Sequence, residues 1–183
     1  MFTVSPPFCA PSVWREQLRD HAYALLAPVD VPAWAGAEAE DLAALLPSWD
    51  DLAPDAYLKD GGKYRRRRHA SYVIEGQRLE RVAHRAHWQP VSYNALHGGM
   101  ERWFEPISPE VEASSAWQAL LLAAADAATA LRGERTWYVE AHQFRIDTTD
   151  GIGRPTPEGA HRDGVDLVLV ALLSRVGIKG GET

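Results

Sequence analysis

Apolar residues recur at roughly helical spacing from Val13 through Leu18, Ala22, Leu25 and Leu26. They predict an amphipathic helix that opens after Pro11 and Ser12 and runs to about Ala27. After Pro28 and Pro32 a second helical stretch, AEAEDLAALL, is closed by Pro47, and the LAPDAYLKDGG run ends in a turn. From Lys63 the pattern changes. KYRRRRHASYVI has no helical stripe and carries Tyr64, Tyr72, Val73 and Ile74, which predicts a strand. Between Gly76 and Pro109 only short extended pieces are legible. Ser108 then reads as an N-cap with Pro109 in the first turn, Glu110 and Glu112 complement the helix dipole, and Gly133 ends the helix. Two strand candidates follow, RTWYVEAHQFRID and AHRDGVDLVLVALLSRV, the second apolar enough in its LVLVALL run to be buried on both faces. The Gly/Pro-rich loop TTDGIGRPTPEG joins them. The expected class is therefore α+β, mainly β, with helices over about residues 1–60 and strands from about residue 63.

Composition narrows the function. At 183 residues and 46% apolar content the chain can bury one substantial core, so a single domain over 1–183 is expected. A net charge of −6 argues against nucleic acid and points to small molecules. Cys9 is the sole cysteine, which excludes an intrachain disulfide and a thiolate zinc site and suits a cytoplasmic setting. The N-terminus has no secretory pattern, and WQALLLAAADAATAL is short and interrupted by Asp126, so no membrane partner is expected.

His161 and Asp163 are one residue apart, so on an extended backbone both side chains leave one face, close enough to bind one ion. Imidazole with carboxylate suits iron in a 2-His-1-carboxylate site. His-x-Asp is nonetheless short enough to arise by chance about once in every two chains of this composition. Spacing alone leaves open a structural pair that hydrogen-bonds its loop. Arg145 on the preceding strand could pair with a substrate or cosubstrate carboxylate or make a structural ion pair. Glu158 could take a substrate ammonium group or stay solvated. His142, facing away from Arg145 on a regular strand, reads as a satisfied core histidine. Alternation along Arg65–Arg68 puts Arg65 and Arg67 on one face and Arg66 and Arg68 on the other, so that half of the run could point inward; a solvated, salt-bridged strand is its first reading, carboxylate binding its second and nucleic acid its third. Trp103, Trp117 and Trp137 read as core anchors.

The segment PTPEGAHRDGVDLVLVALLSRVGIKGGET resembles the ligand segment of the bacterial 2-oxoglutarate/Fe(II)-dependent dioxygenase family that includes L-isoleucine hydroxylase. DAYLKDGGKYRRRRHASY, YNALHGGMERWFEPI and WYVEAHQFRI are similar to that family's pattern in the same order, from about Leu46 onward. The resemblance implies a double-stranded β-helix, a cupin-like jelly roll with its site in the barrel mouth. It makes His161 and Asp163 iron ligands, with Arg145 and Glu158 as substrate- or cosubstrate-binding candidates. It implies Fe(II), 2-oxoglutarate as cosubstrate, O2, ascorbate as a supporting reductant, and hydroxylation or sulfoxidation of a free L-amino acid, and it leaves room for a homo-oligomer. The family's distal His and its basic 2-oxoglutarate clamp fall beyond Thr183. The expectation is therefore a barrel truncated before closure, read as a fragment of a longer protein. The alternative is a truncated, catalytically inactive metal-binding or interaction module of the same fold.

Overall fold

The computed structural model describes residues 7–94, 97–149, 151–153 and 163–178. The chain divides into two compact units that interleave along the sequence. The first comprises Met1–Leu45, Ile74–Leu79 and Glu110–Trp137; the second comprises Leu46–Val73, Glu80–Pro109 and Tyr138–Thr183.

The first unit is helical. Helices α1 (Trp14–His21), α2 (Val31–Ala35) and α3 (Ala39–Ala44) each pack against the long α5 (Ser115–Arg132). Alanines at 116, 125, 127 and 128 let the short helices approach α5 closely, while Trp117 and Leu121 supply buried bulk. Helix α1 is shorter than its apolar spacing suggests. Ala22 turns left-handed at φ 64° and caps it, and the carbonyl of Leu25 accepts from the Cys9 N–H at 2.8 Å rather than from a helical neighbour. The helix expected from Ser108 to Gly133 is two helices, α4 (Pro109–Glu112) and α5. Ser114 sits between them with φ −66° and ψ 132°, the extended geometry of an N-cap, and Gln118 Nε2 donates at 3.1 Å to the freed Glu112 carbonyl. Gly133 ends α5 as expected, its N–H on the Thr129 carbonyl at 2.8 Å.

Strands β1 (Arg65–Glu75), β2 (Arg78–Arg81) and β3 (Trp137–Ile146) form an antiparallel, unclosed sheet in the order β2-β1-β3. Gly76, at φ 57°, opens the two-residue turn from β1 to β2. The strands expected around KYRRRRHASYVI and RTWYVEAHQFRID are both present. Central strand β1 is buried on both faces. Ala70, Tyr72 and Ile74 line one face; Arg65, Arg67, His69 and Ser71 line the other, an unusually polar set for so enclosed a position.

Two expectations fail. The described part of AHRDGVDLVLVALLSRV, residues 163–176, forms no strand, and Val168, Val170, Leu172 and Val176 are exposed. An apolar run is buried only where neighbouring strands complete its ladder, and among the described residues it has none. Trp103 is 53% exposed, whereas Phe104 beside it is buried; alternation of an extended backbone turns Phe104 inward and Trp103 out. Trp117 and Trp137 are buried as expected. Among the described residues no helix is long and apolar enough to cross a membrane.

Candidate metal centre

The polar face of β1 continues onto β3. Glu140 and His142, at the i, i+2 spacing that puts both on one face, stand beside His69 of β1. The segment after β2 adds His87. Its backbone is locked to Arg102 by reciprocal hydrogen bonds of 2.9 and 3.1 Å, while His69 is fixed by its N–H on the Glu105 carbonyl at 2.9 Å. One donor atom from each of His69, His87, Glu140 and His142 lies within 4.8 Å of all the others, close enough to share one ion.

Protonation follows from the surroundings. Burial depresses the His69 and His142 pKa values, the latter strongly with Arg67 alongside, so both rings are neutral at neutral pH. Burial alone would raise Glu140, but His69 and His87 outweigh it and hold the carboxyl well below its ordinary range. The ionised Glu140 only accepts, so His87 Nδ1–H donates to its Oε2 at 2.6 Å. His69 Nε2 is 3.7 Å from the other carboxylate oxygen, too long for a hydrogen bond, and both His69 ring nitrogens are buried without a hydrogen-bond partner among the described residues. His142 differs. Arg67 donates to its Nδ1 at 2.7 Å, which leaves the proton of the neutral ring on Nε2 and no free lone pair. With His142 engaged by Arg67, His69, His87 and Glu140 remain as a 2-His-1-carboxylate set of the kind that fits a divalent transition metal such as iron.

The residues singled out by sequence sit differently. His161 and Glu158 lie outside the described residues. Asp163 is half-buried, and Gln89 Nε2 donates to its Oδ1 at 3.3 Å. The orientation of that amide is fixed from the other end, because Gln89 Oε1 accepts from Asn94 Nδ2 at 3.0 Å and from an Arg102 nitrogen at 2.8 Å. Gly164 has φ 71°, and a Cβ there would meet the Tyr93 ring at 2.3 Å, so the backbone beside Asp163 requires glycine. Arg145 is turned to the opposite face of β3 from Glu140 and His142 and pairs with Asp50 at 3.3 Å on the exposed side. His142 is a member of the His/Glu group rather than an isolated core histidine. Glu140-x-His142 has the same one-residue spacing as His161-x-Asp163, a signal available in the sequence; His69 and His87 come from segments with no such pattern.

A set of imidazole and carboxylate donors on the inward face of an antiparallel sheet defines a candidate non-haem metal protein. The chain belongs to the 2OG-Fe dioxygenase family, whose model matches residues 46–183. It is 49% identical to a bsmA homologue from Methylobium petroleophilum PM1 whose crystal structure superposes with a TM-score of 0.79, over 87% of this chain and 65% of that one. The crystal structure of IDO from Bacillus thuringiensis is similar in fold, at 13% identity and a TM-score of 0.52, over 79% of this chain and 57% of that one. The chain therefore spans less than two thirds of the length of either structure. No curated protein matches it.

Proposed function

We propose that this chain carries the iron-binding part of a non-haem Fe(II)/2-oxoglutarate-dependent oxygenase, located in the cytoplasm, that hydroxylates or sulfoxidises a free L-amino acid. In this reading the sheet is part of a double-stranded β-helix, and His161 and Asp163 hold the iron. The observation that carries the assignment is the Gln89 amide. With its oxygen committed to Asn94 and Arg102, its NH2 is aimed at Asp163, the outer-shell support that a ligating carboxylate requires. Bound iron would supply oxygen activation coupled to oxidative decarboxylation of 2-oxoglutarate, with O2 as oxidant and ascorbate keeping the metal reduced. The chain's own residues orient the ligand carboxylate through Gln89 and present an ionised Glu140 beside neutral imidazoles. Arg145 and Glu158 retain their proposed roles toward substrate or cosubstrate carboxylate and ammonium.

A second reading puts the iron on His69, His87 and Glu140, favoured by the spacing of their donor atoms and the unpartnered His69 nitrogens. Assay of the chain with Fe(II), 2-oxoglutarate, ascorbate and a panel of L-amino acids tests both. Succinate formation abolished by His161→Ala supports the first; turnover that survives His161→Ala but is lost in Glu140→Gln supports the second. Stoichiometric iron binding without turnover on any amino acid favours the non-catalytic metal-binding module.

A further inference from the structure

The same polar face holds a cation that the metal centre does not use. Arg67 is 4% exposed, and its guanidinium lies over the ring of Phe104, at 3.8 Å from the centroid, and over that of Phe144, at 4.4 Å. Both contacts are close enough for cation–π attraction. Its nearest carboxylate is Asp55 Oδ2 at 3.7 Å, and that same oxygen is already bonded by Arg65 Nε at 2.7 Å. Its close hydrogen bond goes to His142 Nδ1, a ring nitrogen rather than a carboxylate. Its Nε is buried with no hydrogen-bond partner among the described residues. A buried guanidinium that shares another arginine's anion and keeps an unused N–H is costly unless something else meets it. The adjoining strand is open enough to admit that partner, with Glu140, His142 and Phe144 all retaining exposure.

We propose that Arg67, held against the rings of Phe104 and Phe144 and oriented by His142, is the anchor of a carboxylate-binding subsite beside the His/Glu group. The ligand class is a small organic acid. The planar fork of the guanidinium matches a carboxylate in two hydrogen bonds, a geometry an ammonium cannot reproduce. A 2-oxoglutarate-dependent oxygenase of amino acids offers two such ligands, the cosubstrate and the substrate, and the inference rests on that reading only for this choice.

The test is calorimetric titration of the iron-free full chain with succinate, 2-oxoglutarate and L-amino acids, each beside its methyl ester. Saturable binding of an acid but not of its ester is expected, weakened about tenfold or more in Arg67→Lys and unchanged in Arg135→Gln, which alters an exposed arginine elsewhere. Binding confined to the dicarboxylates identifies the cosubstrate as occupant; binding confined to amino acids identifies the substrate. Esters binding as tightly as acids, or Arg67→Lys binding like the parent, overturns the subsite. In the unaltered protein the 15N-labelled Nε–H signal of Arg67 moves on saturation with the acid. A fixed signal also overturns the subsite, independently of how the variant folds. Absence of turnover with acid binding intact refutes the oxygenase reading alone. Turnover whose KM for both 2-oxoglutarate and amino acid is unmoved by Arg67→Lys refutes the subsite alone.

Discussion

Asp55 is the most exacting test of how the buried arginines are tolerated. Its side chain is 0% exposed and those of Arg65 and Arg67 5% each; it accepts from Arg65 Nε at 2.7 Å, lies 3.7 Å from Arg67, and takes the Tyr57 N–H at 2.9 Å on its other oxygen. Asp55→Asn keeps an acceptor for Tyr57 and nearly the same volume, so it isolates the charge. Breaking one partner of a buried ion pair costs about 3–5 kcal/mol, because the remaining charge stays desolvated. Two guanidinium groups depend on this carboxylate, which puts the expected loss at about 4 kcal/mol. For a chain of this size that corresponds to a fall in Tm of about 8–16 °C. Urea unfolding of the metal-free chain, with Asp126→Asn as control, measures it. Asp126 pairs with Arg15 between side chains that are 53% and 54% exposed, so its loss costs less than about 1 kcal/mol. An Asp55→Asn variant no more destabilised than the Asp126→Asn control would refute the reasoning, since it would mean that the buried guanidinium groups do not require their anion.

Further outcomes follow from other contacts. Gln89→Leu removes the donor that orients Asp163 and lowers iron affinity by about 10–100-fold, read by anaerobic Fe(II) titration; unchanged affinity counts against Asp163 as a ligand. Gly164→Ala drives a methyl group into the Tyr93 ring from a left-handed backbone, so it weakens iron binding in the same titration, and an alanine variant that binds like the parent removes the need for that backbone geometry. Trp137→Phe deletes the 2.8 Å bond from Nε1 to Thr129 Oγ1 while keeping most of the ring's burial, for a loss of about 1 kcal/mol in urea unfolding; a loss approaching that of a core cavity would show that packing, not the hydrogen bond, holds this contact.

Much of the fold was legible. The β-branched and aromatic runs around residues 65–75 and 137–146 announced their strands, and Gly133 announced the end of α5, because each signal is local. The break at Ser114 was harder to see, since an internal serine reads as a tolerated helix residue until its backbone turns extended. Ala22 carries no mark of the left-handed geometry it adopts. The alternation of Arg65–Arg68 separated Arg65 and Arg67 from Arg66 and Arg68 without telling which pair faces inward; Arg65 and Arg67 are buried rather than solvated, while Arg66 is exposed and bonded to the Leu52 carbonyl at 3.2 Å. The resemblance to 2-oxoglutarate/Fe(II) dioxygenases led to the family the chain belongs to. The His/Glu group stayed hidden because its members come from three separated segments, and only Glu140-x-His142 has a readable spacing. Arg145 lies on the face that the same alternation assigns it, opposite His142.

The identity of the iron ligands is tested most directly by equilibrium Fe(II) binding under anaerobic conditions to the parent chain, His161→Ala, Asp163→Ala and Glu140→Gln. Iron held by the parent and by Glu140→Gln but lost from both His161→Ala and Asp163→Ala is the predicted result. Iron retained in both of those variants and lost from Glu140→Gln would contradict it and move the metal to the His69, His87 and Glu140 set.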